Sequence, residues 1–413
     1  MFPKVPVRPK SLDSYRRAAG DKAIDRCQKV GARLKGARVL HINTTAFGGG
    51  VAELLYTIVP LMRDVGIQAE WALFPGNDEF FTITKAIHNG LQGMPVPFTA
   101  GMQRDFLDHT IRSAPEFSED YDFVFVHDPQ PAALLTALRD IGNPPPGRWL
   151  WRCHIDLTTA SPNVWRFLQP HVAAHEVAVF THKDFTKPLP IPISIIPPSI
   201  DPSSPKNARI HNSTCREVLE RYEIDLNRPI AVQVSRFDPW KDPLGVIDAY
   251  RIAKKEVPGL QLVMVASMAH DDPEGMQYLA LTEERRDNDP DIYLLSNLQG
   301  VGAVEVNAFQ RMASVVIQKS LREGFGLVVS EAMWKSKPVI GGRTGGIRLQ
   351  IDDRKNGFLV DSVDETALRM VELLRDPRRA TRMGRAAKEK VRAHFLSPRQ
   401  LTDYLELMVK LGK

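Results

Sequence analysis

Arg236 and Lys241 stand five residues apart in SRFDPWK, directly after a short apolar run at 230–234 and just before Pro243, a residue suited to opening a helix. Two cations beside a helix N-terminus form a clamp for a diphosphate, because side-chain charge and free backbone N–H groups both favour an anion. Residues 320–331 read SLREGFGLVVSE and carry two carboxylates, Glu323 and Glu331, with Gly324, Phe325, Gly326 and Leu327 between them. Glycines ahead of an apolar helix leave amide groups open to a ligand. A helix from Phe325 to Glu331 would rise about 9 Å. That is no basis for the pair of carboxylates ~5 Å apart that a retaining hydrolase uses. Hydrogen bonding to sugar hydroxyls suits them better. The plainer alternative is a capped helix with one surface glutamate.

The first half of the chain is less specific. Gly48, Gly49 and Gly50 follow the apolar run 38–43 and precede a helical pattern, so they form either a tight turn or a backbone approach to an anion. A dinucleotide fingerprint is not met, because Glu53 stands where its third glycine belongs, although Glu70 lies about 20 residues on. His127-Asp128-Pro129-Gln130 and His154-Ile155-Asp156 each follow a strand pattern. Neither pair has the spacing of a zinc site. They suit contacts to sugar hydroxyls, with helix capping by Asp128 and Asp156 as the alternative.

These groups need a scaffold that brings strand ends together. Residues 11–34 read as an amphipathic helix or helix pair broken near Gly20. Strand patterns at 38–43, 68–74, 122–126, 149–154 and 176–180 alternate with helical ones at 51–65, 131–139 and 162–168. Such alternation predicts βαβ units and a parallel sheet. Between 187 and 205 seven prolines crowd one stretch and mark a boundary. The alternation then resumes, with strands at 229–235, 260–266, 291–295, 314–318 and 338–341, a helix at 244–254, and helical periodicity from Glu365 to the end. The expected fold is α/β with two Rossmann-like, doubly wound domains. Residues 1–199 form a first domain with an N-terminal helical extension, 200–397 a second domain, and 398–413 a last helix.

Composition excludes several classes. The 413 residues are 43% hydrophobic and 25% charged, enough apolar material for two cores and too much for disorder. A net charge of +5 suits an anionic ligand, but runs of like charge are lacking, so nucleic acid is not expected as a partner. Cys27, Cys153 and Cys215 are widely spaced and odd in number, which fits a reducing compartment. The first ten residues carry prolines at 3, 6 and 9 and no apolar core, unlike a signal peptide. Apolar stretches are strand-sized, below the roughly 20 residues of a membrane span. A cytoplasmic protein without membrane contact is expected.

Arg236 and Lys241, together with Glu323 and Glu331 in EGFGLVVSE, resemble the retaining nucleotide-sugar glycosyltransferases of the GT-B type, a family that includes sucrose and glycogen synthases. The segments HINTTAFGGGVAE, HDPQPAAL, WRCHIDL, PPSIDP, VSRFDPWKDP, AHDDPEG and REGFGLVVSEAMWK look like those of the trehalose glycosyltransferring synthases. The resemblance covers nearly the whole chain. It implies two domains facing across a cleft, 1–199 for the acceptor and 200–397 for the donor, with the last helix 398–413 returning to the first domain. It also implies transfer of glucose from a nucleoside diphosphate (UDP-, ADP- or GDP-glucose) to C1 of free glucose, reversibly giving α,α-trehalose.

Residue by residue, it implies that Gly49 and Gly50 lie under the donor diphosphate and that His154 reaches the transferred sugar. Arg236 and Lys241 would hold the diphosphate, Glu323 the transferred sugar, the 324–327 backbone sugar and phosphate, and Glu331 the ribose. Asp128, Gln130 and Asp156 would face the acceptor. Pro198-Ser199 stands where the family often has Asn-Gly. The implied mechanism is front-face displacement, with the two cations stabilising charge on the leaving phosphate. No obligatory metal cofactor is then needed, and Mg2+ enters as a modulator of nucleotide binding. A sugar-phosphate acceptor, as in sucrose-phosphate or trehalose-phosphate synthesis, would need a further basic cluster, for which Arg104, Arg148 and Arg152 are candidates. A nucleotide-sugar epimerase or hydrolase, a sugar-sensing protein and a dinucleotide oxidoreductase are the other readings. The oligomeric state stays open, a homodimer included.

Overall fold

The computed structural model describes residues 1–47, 49–266 and 273–412. Gly48 of the triple-glycine turn and the 269–272 part of AHDDPEG lie outside the described residues. The chain divides into two compact units, one of Met1–Pro198 with Ser397–Lys413 and one of Ser199–Leu396.

Among the described residues the first unit holds six strands: β1 (Arg38–Asn43), β2 (Gln68–Leu73), β3 (Phe123–His127), β4 (Arg148–Arg152), β5 (Val177–Phe180) and β6 (Ile193–Ile195). They pair in the order β2-β1-β3-β4-β5-β6, all parallel. Both faces of the inner strands β1, β3, β4 and β5 are covered, so these are buried runs rather than alternating ones. Leu40 and Ile42 join one core with Phe74, Phe80 and Trp151, and Val39 joins the other with Leu55, Ile58 and Phe125. The chain passes from β1 out to β2 and returns to β3 on the other side. The β1 and β3 ends therefore flank the point where strand order reverses, the place such sheets bind ligands.

The terminal helix Ser397–Leu411 belongs to this unit. Leu401, Tyr404, Leu405 and Met408 recur with helical period and enter the second core, while Arg26 Nη2 meets Glu406 Oε1 at 2.6 Å. The pair is exposed, so burial of the apolar stripe is what holds the helix.

In the second unit β7 (Ile230–Val234), β8 (Gln261–Ala266), β9 (Ile292–Ser296), β10 (Val315–Gln318), β11 (Val339–Gly342) and β12 (Phe358–Val360) pair in the order β12-β11-β10-β7-β8-β9, again parallel. The reversal falls between β7 and β10, and both SRFDPWK and SLREGFG leave the carboxyl ends of those two strands. Among the described residues no helix is long and apolar enough to cross a membrane.

Several elements differ from the sequence expectation. The helix expected at 131–139 begins at Leu134, after a turn that includes Pro131. The helix expected to stop at 168 runs Pro162–Ala173 through Pro170. Strands β6 and β12 were not foreseen: each is three residues long and lies at a sheet edge. Edge position is why β6 tolerates the prolines around it. Helices Asp78–Leu91, Ala100–Ser113 and Asn212–Arg221 were likewise missed.

Candidate active site

The loop leaving β7 is built from two consecutive caps. Asp238 accepts from Lys241 N at 3.1 Å and closes the turn Pro239–Lys241. Asp242, in the left-handed region at φ 49°, accepts from Gly245 N at 3.1 Å and opens the helix Pro243–Glu256. Gln233 Nε2 ties the Lys241 carbonyl at 2.9 Å. The backbone of Lys241 is thereby fixed, and its ammonium lies 2.7 Å from Glu323 Oε2 with both side chains about 15% exposed (16% and 14%). Ser320 Oγ donates to the same oxygen at 3.4 Å and accepts from Gln318 Nε2 at 3.0 Å. Lys319 pairs with Asp242. Arg236 is 59% exposed, its Nη2 3.1 Å from Asp238 Oδ2. The two cations named from the sequence thus differ in setting: Lys241 is held against a carboxylate, and Arg236 stands largely in solvent.

The Glu323 loop is braced by the segment that follows β11. Gly345 has φ 45°, and a Cβ there would lie 1.7 Å from the Glu323 carbonyl oxygen, while a Cβ on Gly346 would lie 2.4 Å from Phe325 Cα. Gly346 N donates to the Glu323 carbonyl at 3.1 Å, and Gln350 Nε2 donates to the Phe325 carbonyl at 2.5 Å. Gly326, at φ 81°, starts the helix Leu327–Trp334 without a side-chain cap. The sequence reading overlooked this brace, although GGRTGG at 341–346 was a visible signal. Glu331 lies inside that helix, wholly buried, with Lys206 Nζ 3.5 Å from Oε1. Its Oε2 is buried and takes no hydrogen bond among the described residues.

In the first unit Gly49 precedes the helix Gly50–Asp64, which also lacks a side-chain cap. A Cβ on Gly49 would meet nothing, so packing does not dictate a glycine there. Asp128, at φ 62°, does not cap a helix as the alternative reading had it. Its Oδ1 accepts from His154 N at 2.8 Å and its carbonyl from Trp151 Nε1 at 2.9 Å. Asp156 also caps no helix; it accepts from Thr158 N at 2.9 Å. Gln130 is partly exposed beside Asp128 in sequence. His127, buried at the end of β3, hydrogen-bonds His154 on one side and His41 on the other, each at 3.0 Å. His41 was not anticipated, because a histidine inside an apolar strand run gives no signal of its partner.

Burial sets the protonation of this group. It holds the His41 imidazole down at about 3 and those of His127 and His154 well below their ordinary value, with the Arg152 charge adding to the last two. It pushes the Asp128 carboxyl up to about 7 against the His154 amide and Arg152. Since the folded pKa of Asp128 lies above its unfolded value, its stabilising effect is complete below about pH 4 and is lost as pH rises to about 7. That change amounts to roughly 4 kcal/mol. Asp128→Asn keeps the acceptor for His154 N and tolerates a left-handed φ. Its melting temperature should gain on the parent progressively from about pH 4 to about pH 7 and then level off. The histidines act oppositely, losing stability as pH falls below about 6.5, and comparing the two proteins cancels them. Parallel curves would show that Asp128 ionises normally.

The other candidates are placed differently. Glu70 is engaged by Lys4 Nζ at 2.8 Å and Tyr121 Oη at 2.6 Å. Arg148 opens β4, at the end of the sheet opposite the site, and meets Glu176 at 3.1 Å. Arg152 closes β4 but is 0% exposed, while Arg104 is exposed on the helix Ala100–Ser113.

A family model described as trehalose synthase, N-terminal domain, matches residues 41–187, and one described as glycosyl transferases group 1 matches 216–390. A trehalose synthase of Rubrobacter xylanophilus is 49% identical over 100% of this chain and 99% of its own. One of Thermococcus litoralis is 44% identical over 97% of both. The structure of an alpha,alpha-trehalose-phosphate synthase (UDP-forming) from Burkholderia xenovorans superposes with a TM-score of 0.72 over 90% of this chain and 100% of its own, at 14% identity. That last likeness shows the fold, and the first two show the family. With its two doubly wound parallel sheets, the chain belongs to the trehalose synthase family, glycosyltransferases of the GT-B fold.

Proposed function

We propose that the chain transfers glucose from a nucleoside diphosphate to C1 of free glucose with retention, giving α,α-trehalose, and that it runs in both directions. The observation that carries this reading is the Lys241–Glu323 pair at the β7–β10 reversal, ahead of the uncapped helix Leu327–Trp334. A leaving diphosphate placed there would meet the Lys241 ammonium, the Arg236 guanidinium and the first-turn amides of the helix. All three grow more favourable as negative charge builds on the β-phosphate.

Glu323, already an acceptor from Lys241, orients the sugar through its hydroxyls. Glu331 Oε2, buried without a donor of its own, takes a ribose hydroxyl. Gly49 and Gly50 are assigned to the diphosphate, His154 to the transferred sugar, and Asp128, Gln130 and Asp156 to the acceptor, as the family resemblance implies. The incoming hydroxyl gives its proton to the leaving phosphate, so no protein nucleophile is required. Charge compensation by Lys241 and Arg236 makes a catalytic metal dispensable; activity should survive chelation, with Mg2+ changing only nucleotide affinity. A cytoplasmic setting agrees with three buried free thiols.

Free glucose is favoured over a sugar phosphate as acceptor. Arg148 is paired at the far end of its strand and Arg152 is buried, so these arginines do not assemble an exposed phosphate site.

The test is the reverse reaction. Both the sugar–nucleotide bond and a bond between two anomeric carbons are high in energy, so trehalose with UDP, ADP or GDP should yield the nucleotide glucose. In the forward direction reducing sugar should disappear. If trehalose phosphate or sucrose supports the reverse reaction and trehalose does not, the acceptor assignment is wrong and only the glycosyltransferase class stands.

A further inference from the structure

We propose that His41 and His127 are positioning residues that fix the tautomer of His154, so that His154 presents an unprotonated Nδ1 to a hydroxyl of the transferred sugar. The inference rests on the sugar-facing reading of His154 and specifies the chemistry of that contact.

Two adjacent strands, β1 and β3, and the loop leaving the next one, β4, carry the three rings. His41 lies opposite Phe125 in the β1–β3 register, which places His127 two residues further along the same face. His127 lies opposite Arg152 in the β3–β4 register, and His154 follows two residues later. The rings meet in a line: His41 Nδ1 to His127 Nε2 at 3.0 Å, and His127 Nδ1 to His154 Nε2 at 3.0 Å. His41 stacks on Phe125 at 4.7 Å, and His127 on His154 at 5.3 Å, so none can turn independently. The main chain of His154 is locked as well, by Asp128 Oδ1.

A neutral imidazole has one N–H and one lone pair, so each link needs one of each and the choice at one end propagates to the other. The inner end decides it. His41 Nε2 lies 3.5 Å from Met62 Sδ, and a thioether can only accept. The proton of His41 therefore sits on Nε2, and its Nδ1 accepts from His127 Nε2–H. His127 Nδ1 in turn accepts from His154 Nε2–H. What remains is the Nδ1 lone pair of His154, at the partly exposed end of the line.

The opposite polarity would leave a buried lone pair facing sulfur with no donor. Neutral rings are enforced by burial and by the neighbouring Arg152 guanidinium; the nearby Asp128 carboxyl is occupied by the His154 amide. A lone pair facing the sugar also suits the reaction. It accepts a hydroxyl proton and opposes no positive charge growing at the anomeric carbon, where an N–H dipole would.

The experiment uses the full chain with 15N-labelled histidine and long-range proton–nitrogen correlations at neutral pH, which separate protonated from unprotonated ring nitrogens. The expected result is Nε2 protonated and Nδ1 bare in His41, His127 and His154. Met62→Leu, a swap of similar volume, removes the acceptor that sets the polarity, and His127→Phe cuts the line. In each the single-tautomer signal of His154 should be lost, with a fall in kcat. A proton on His154 Nδ1 in the unaltered protein, or an unchanged His154 signal in both variants, overturns the proposal. Undiminished turnover in His154→Ala would instead remove the sugar-facing role, whatever the ring signals show.

Discussion

Lys241→Ala should lower kcat by about 100-fold or more, the scale on which enzymes lose a group facing transition-state charge. The same change should lower the melting temperature. It leaves Glu323, only 14% exposed, without its counterion, and an unpaired, poorly solvated carboxylate is costly. The two effects separate in the double variant Lys241→Ala with Glu323→Gln, which should recover stability while turnover stays low. Arg236→Ala gives a contrasting profile. Its guanidinium is 59% exposed, so it contributes little to the fold. Turnover should fall on the same order with no change in melting. Normal kcat in both single variants would detach these cations from the diphosphate.

Gly345→Ala should have an effect of similar size by a different route. Alanine is strained at φ 45°, which glycine adopts freely, and the new Cβ would fall 1.7 Å from the Glu323 carbonyl oxygen. The Glu323 loop must then move by an ångström or more and lose the Gly346 N–H bond at 3.1 Å. A shift of about 1 Å in a positioning element can cost about 100-fold in rate. Melting should drop too, by an amount matching roughly 2–4 kcal/mol. Gly49→Ala is the control: its surroundings are open and its φ is −144°, so the fold should be untouched. Wild-type kinetics in Gly345→Ala would mean that the brace does not hold the Glu323 loop in place.

Much of the candidate site was legible because its residues stand just after strand patterns. Arg236, Lys241, Glu323 and His154 all follow recognisable strands, and ligands in doubly wound sheets collect at those ends. β7, β8 and the helix between them were readable to within one or two residues, since the patterns depend on near neighbours in the chain. The short strands β6 and β12 were not readable. Three residues at a sheet edge carry too little periodicity, and their pairing with β5 and β11 is decided by what the rest of the sheet leaves open. The terminal helix Ser397–Leu411 showed its apolar stripe in sequence, whereas its seat against Ile58 and Phe125 is a property of the folded unit.

By itself the sequence determined the alternating elements, the Pro-rich boundary and the residue types available at each strand end. These follow from local sterics, helix and strand periodicity, and the special backbone of glycine and proline. Only the tertiary structure decided how those residues are used. Lys241 reaches Glu323 across 82 positions because β7 and β10 are neighbours at the reversal. Arg148 and Arg152, four residues apart, part company because one opens a strand and the other closes it in the core. Asp128 turns from a capping residue into a carboxyl pushed up to about 7, and three histidines distant in sequence become one hydrogen-bonded line. Sheet register and burial act between segments far apart in the chain, so no local pattern records them.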